Sequence, residues 1–141
     1  MENNLKKAKE LINNNDAVFA FVSDSETLVS DKKGIGFVAQ LCGENKDLSM
    51  GCVADKIVGK AASLLFVYLG VKQVYAEVLS SSAKEMFEKY GVDYSFGTIT
   101  DMIVNRKGDG PCPMEKAVAD IDTPKEALCA INKTLEELRN V

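Results

Sequence analysis

Val53-Ala54-Asp55-Lys56-Ile57-Val58-Gly59-Lys60-Ala61-Ala62-Ser63-Leu64-Leu65-Phe66-Val67-Tyr68-Leu69 is the stretch whose reading decides the fold. It is apolar almost all round and too long for an average strand. Its polar residues Lys56, Lys60 and Ser63 fall on one face of a helix. The pattern predicts a single central helix over 53–69, packed on a sheet, with Ile57, Val58, Ala61, Ala62 and Leu65 buried. Gly59 in the middle of such a helix costs about 1 kcal/mol relative to alanine, which points to a close approach there by another backbone or a ligand.

Downstream, Gly70 supplies a helix stop and Val71 to Leu79 alternates as a strand. Ser80-Ser81-Ser82 followed by Glu85 reads as a capping box for a helix through Tyr90, Gly91 ends it, and Val92 to Phe96 is a further strand. Ile99 to Val104 reads as a short helix capped by Thr98. Upstream, Leu5, Ala8, Leu11 and Ile12 give an amphipathic first helix, Ala17 to Val22 a two-faced buried strand, and Thr27 to Ser30 its hairpin partner across Ser23-Asp24-Ser25-Glu26. Gly34 to Cys42 reads as a short helix. The last helix starts at Thr123-Pro124 with Glu126 closing the box, and Leu128, Ile131, Leu135 and Leu138 form its stripe. Four strands, with a parallel crossover pair and helices throughout, predict an α/β protein: a three-layer α/β/α sandwich with a mixed sheet, in one domain over residues 1–141.

Composition narrows the chemistry. The 141 residues are 46% apolar and carry 17 basic against 21 acidic groups, for a formal charge of −4. That balance gives no overall attraction to phosphate backbones, so nucleic-acid and anionic-membrane partners are not expected. The N-terminus is polar, and the longest apolar run, Ala61 to Gly70, is too short to span a bilayer, so a cytoplasmic protein is expected. The sequence contains no histidine. Mechanisms that use a histidine of this chain as base, nucleophile partner or zinc ligand are therefore excluded. Cys42, Cys52, Cys112 and Cys129 show no paired short spacing, which argues against a zinc ribbon or a disulfide scaffold. Nothing in the spacing favours a zinc site built from Cys52, Cys112 and Asp55, and no cofactor is expected.

The order of elements, with Val53-Ala54-Asp55-Lys56 opening the central helix, resembles the cytidine-deaminase-like superfamily. In that superfamily the equivalent helix opens with a His-Ala-Glu type motif in which the first residue binds zinc and the glutamate shuttles protons. In this alignment Val53 falls at the metal ligand and Asp55 at the acid, while Leu79-Ser80-Ser81-Ser82-Ala83 stands where a Pro-Cys-x-x-Cys motif belongs. The resemblance therefore carries a fold without the zinc ligands. The chain is also similar to an uncharacterised family of small prokaryotic proteins placed in that superfamily by fold. This likeness runs through Ala54 to Ala62, Gly70 to Ala76, and Asn105-Arg106-Lys107-Gly108-Asp109-Gly110-Pro111-Cys112-Pro113-Met114-Glu115-Lys116-Ala117-Val118. Superfamily members often self-associate, so the resemblance also implies a homo-oligomer.

Two groups of residues carry candidate chemistry. Asp55 and Lys56 would lie in the first turn of the central helix, where an acid complements the dipole and a lysine does not. They serve either as a cap and a snorkelling cation or as a proton-transfer pair. The glycine-rich loop Asn105, Arg106, Gly108 and Gly110, running into Cys112, Glu115 and Lys116, combines cations with a helix start, which is the physics of an anion site. Cys112 is either a nucleophile or a tolerated cap. Lys60 continues the Lys56 face, which either meets water at the rim or turns into the same pocket. The leading expectation is metal-free binding of a small anionic or nucleotide-like ligand by these residues. A zinc-independent hydrolase or group-transfer enzyme using Asp55, Lys56 and Cys112 is the alternative, and a protein–protein interaction subunit is the second. Convergence of Asp55, Lys56, Arg106, Cys112 and Glu115 on one cleft is the geometric form of the leading expectation.

Overall fold

The computed structural model describes residues 2–14, 17–32, 35–104, 107–108 and 110–139. The helices are α1 (Glu2–Asn13), α2 (Gly36–Gly43), α3 (Lys60–Tyr68), α4 (Ser81–Tyr90), α5 (Pro113–Ala117) and α6 (Pro124–Arg139). The strands are β1 (Phe19–Ser23), β2 (Thr27–Ser30), β3 (Gly51–Val58), β4 (Gln73–Ser80) and β5 (Asp93–Thr100). They form one mixed sheet in the order β2-β1-β3-β4-β5. The β1–β2 hairpin pairs Phe19 with Ser30, and its turn is tied by the Ser23 hydroxyl, which accepts from the Glu26 amide at 3.0 Å. β1 runs antiparallel to β3, whereas β3, β4 and β5 are parallel, as the two helical crossovers require.

The decisive stretch is not one helix. Residues 51–58 are strand, Gly59 is extended (φ −100°, ψ −175°), and the helix begins at Lys60. The reason is burial on every side. Along β3, Val53 enters the core beneath α2 to α6 while its neighbour Ala54 enters a second core with Ala8 and Ile12 of α1, so the strand shows no alternation. α3 is enclosed nearly all round, with Ala61, Ser63, Leu64, Leu65 and Phe66 buried, so it shows no polar stripe. A two-faced strand running into an enveloped helix leaves neither period visible. Val58, Ala61 and Leu65 are buried as expected and Ala62 is half-buried, but Ile57 on the strand is 57% exposed.

The same structure corrects two smaller expectations. β5 continues through Ile99 to Thr100, and the chain then forms a loop with a Val104–Pro111 bridge in place of a helix over 99–104. The α6 stripe ends early: Ile131 is buried, but Leu138 is 52% exposed. Other sequence signals hold. Ser80 caps α4 by accepting from the Ala83 amide at 3.1 Å, which puts Ala83 and not Glu85 at the position that would close a capping box, and Gly91 closes that helix in the left-handed region (φ 70°). No helix among the described residues is long and apolar enough to cross a membrane.

Candidate functional site

The parallel strands β3 and β4 end where α3 and α4 begin, and this end of the sheet receives a side chain from far along the sequence. Glu115 on α5 places its carboxylate over the start of α3, where Oε1 accepts from the Lys60 amide at 2.7 Å and Oε2 from the Ala61 amide at 2.9 Å. Both oxygens are held by first-turn amides, which have no partner within their own helix. Gly59 makes this approach possible, since a Cβ there would overlap the Glu115 carboxylate. A close approach at Gly59 does occur, but it is made by the Glu115 side chain and not by a backbone or a ligand, and Gly59 is the helix N-cap and not its middle.

Lys60 is the second member of the site and is buried. Its ammonium donates to the Ala119 carbonyl at 3.1 Å and pairs with Asp122 Oδ1 at 2.8 Å. The Lys60 hydrogen bond and charge hold the Asp122 carboxyl below its ordinary value. The expected water-facing row of Lys56, Lys60 and Ser63 does not exist: Lys56 is on β3, Lys60 turns inward, and the buried Ser63 hydroxyl donates to the Lys60 carbonyl at 2.7 Å. Asp122 and Ala119 escaped the sequence reading because a carboxylate and a carbonyl about sixty residues from Lys60 leave no spacing signal.

Asp55 and Lys56 lie on β3, not in the first turn of a helix, so neither sits at the positive end of a helix dipole. Asp55 sits between Phe19 of β1 and Ala76 of β4, both buried. Burial pushes its carboxyl up to about 8, against the opposing effect of hydrogen bonds from the Ile57 and Lys56 amides. Cys112 precedes α5, is half-buried, and packs against the main core; its carbonyl accepts from the Lys116 amide. Lys116 and Gly108 are exposed, Gly108 with φ 74°, and Gly110 is half-buried. Asn105 and Arg106 lie outside the described residues. The structure thus joins Lys60 directly to Glu115, with Cys112 and Lys116 on the short segment that carries the glutamate.

Open concavities occur elsewhere. One of about 300 Å³ lies between α1 and the hairpin, lined by Lys7, Leu11 and Val22 among others. Another, about 470 Å³, lies along α6 by Lys125, Cys129 and Lys133. Neither concavity lies at the α3 terminus, where the Glu115 carboxylate rests on the amides. Among the described residues, no three histidine, cysteine, aspartate or glutamate side chains are grouped closely enough to hold a metal ion.

A family model described as a domain of unknown function (DUF1893) matches residues 7–135. The chain belongs to the DUF1893 family. A solved structure of a DUF1893 family protein from Thermotoga maritima is 26% identical, with a TM-score of 0.84 over 97% of this chain and 91% of that one. No curated protein matches the sequence. Membership of DUF1893 brings the α/β fold with it and assigns no activity, so function has to be argued from the site.

Proposed function

We propose that this DUF1893 protein is a cytoplasmic, metal-free binder of a small phosphate- or carboxylate-bearing ligand, including nucleotide-like ones, on a three-layer cytidine-deaminase-like scaffold. One observation carries the reading: the amides of Lys60 and Ala61 already grip a carboxylate, that of Glu115, in a space kept clear by Gly59. Glu115 is a tethered stand-in for the ligand. Its five-residue helix is anchored in the core by Met114 and, just beyond it, Val118, so Glu115 leaves by rotation of its own side chain off the amides while the helix stays in place. A tethered group competes at high effective concentration. A free carboxylate would lose that competition, whereas a phosphate brings more charge and a third acceptor oxygen to the same amides. The strand order and the parallel β3-α3-β4-α4-β5 run support the scaffold assignment.

The test compares the thermal stability of wild type and Glu115→Ala with inorganic phosphate, a nucleoside monophosphate and a dicarboxylate. Opening the site should make stabilisation by phosphate compounds larger in Glu115→Ala than in wild type, through mass action. An absence of stabilisation across the whole panel in Glu115→Ala would overturn the proposal. The enzymatic alternative is favoured by one observation, the Asp55 carboxyl raised to about 8, within the range of a general acid or base near neutral pH.

A further inference from the structure

We propose that two copies of this chain join β5 to β5, antiparallel across a twofold axis centred on Thr98, to make one ten-stranded sheet. The two edges of the sheet are built differently. β2 has four residues and is bracketed by Glu26, Asp31 and Lys32, the short, charged design by which proteins protect an edge from pairing. β5 has eight residues, reads Asp93-Tyr-Ser-Phe-Gly-Thr-Ile-Thr100, and contains no lysine, no proline and no charge from Tyr94 to Thr100. It pairs with β4 on one side, so alternate residues direct their backbone amides and carbonyls outward on the other. Phe96 and Ile99 on this strand are 39% and 43% exposed.

Charge selects both the occupant and the register. In a twofold antiparallel pair, facing residues must lie on the same side of the joined sheet, which restricts the axis to a residue position near the strand centre. An axis at Gly97 sets Asp93 against Asp101 of the other copy, two carboxylates face to face. An axis at Phe96 sets Asp93 against Ile99. An axis at Thr98 keeps both aspartates out of the paired stretch: within β5, Thr98 meets Thr98, Phe96 meets Thr100, and Ile99 lies over the bare backbone of Gly97, while Asp93 falls opposite Ile103, past the end of the strand. Threonine pairs and aromatic–threonine pairs are among the favourable cross-strand neighbours. The uncharged stretch from Phe96 to Thr100 is thus self-complementary about Thr98, with no two carboxylates facing.

Sedimentation velocity on the whole chain over a concentration series should show a reversible dimer. Phe96→Lys/Ile99→Lys should be monomeric, with wild-type circular dichroism because both side chains are exposed. Independently of those variants, Thr98→Cys in a Cys112→Ser/Cys129→Ser background should oxidise to a covalent dimer, while Thr27→Cys on the opposite edge should not. A monomer at every concentration, a dimer that survives the lysine pair, or crosslinking through Thr27→Cys in preference to Thr98→Cys would each overturn the proposal.

Discussion

Replacing Asp55 by asparagine should stabilise the protein, and by an amount that depends on pH in a defined way. Asparagine keeps the size of the carboxyl and an oxygen to accept from the Ile57 and Lys56 amides, while removing the charge whose burial between Phe19 and Ala76 is unfavourable. The folded carboxyl titrates near 8 and the unfolded one near 3.8, so the native state holds this proton more tightly. A raised value means that the contribution of Asp55 is fully present below the unfolded value, falls between the two, and is lost once pH passes the folded value. At about pH 7 roughly three of the four units have been traversed, which amounts to about 4 kcal/mol at 1.36 kcal/mol per unit. Because the side chain is half-buried and not sealed, water on its open side trims this to about 2–4 kcal/mol. Urea unfolding of both proteins should therefore give nearly equal stabilities at about pH 4, a gap that widens through neutrality, and a plateau above about pH 8. Carboxyl-detected NMR would give the folded midpoint directly. A gap that does not change with pH, or an Asp55 midpoint near its ordinary value, would refute the reasoning.

Three further outcomes follow from the α3 site and its core. Gly59→Ala and Glu115→Ala should each destabilise by about 1–3 kcal/mol, by displacing or deleting the bidentate carboxylate, but Gly59→Ala should have little effect in a Glu115→Ala background; chemical denaturation of the four proteins in a double-mutant cycle measures the coupling. Asp122, held below its ordinary value by Lys60, contributes stability that is present above its unfolded value and lost as pH falls through the lower folded one, so Asp122→Asn should flatten the acid limb of a melting-temperature profile. Phe66→Ala, at a fully buried position facing Phe19, should cost about 3–5 kcal/mol in urea unfolding.

Local chemistry made much of the fold legible. The hairpin turn at Ser23, the Ser80 cap and the Gly91 stop each depend on atoms within a few residues, and each was readable in sequence. β3 was not, because its partners are β1, about thirty residues before it, and β4, about twenty after. Only those neighbours tell its run of apolar residues from a helix. The site divided along the same line. Glu115 behind a glycine-rich loop was visible, but the helix start at Lys60 was not, and that the acid caps this helix is a contact between residues 55 positions apart. The assignment of Asp55 to a helix start failed for the reason that β3 was missed, since the helix boundary lies four residues further on, at Gly59.

Asp55 and Glu115 are both carboxylates at partly enclosed positions, yet they stand in opposite relation to stability. Glu115 meets two otherwise unpartnered amides and supports the fold, so its placement has a structural cause whether or not a ligand ever replaces it. Asp55 receives two amides but is still driven upward by burial, so at neutral pH it weakens the fold that holds it. A carboxyl raised several units by burial is the kind of group that catalytic sites hold, whereas a carboxylate on helix-start amides is the kind that binding sites and caps hold. The two groups therefore separate the readings experimentally. Ligand-induced stabilisation that grows in Glu115→Ala and persists in Asp55→Asn identifies a binding protein working through the α3 amides. Chemistry lost in Asp55→Asn, with the protein more stable and Glu115 still in place, identifies an enzyme whose titrating group lies on β3.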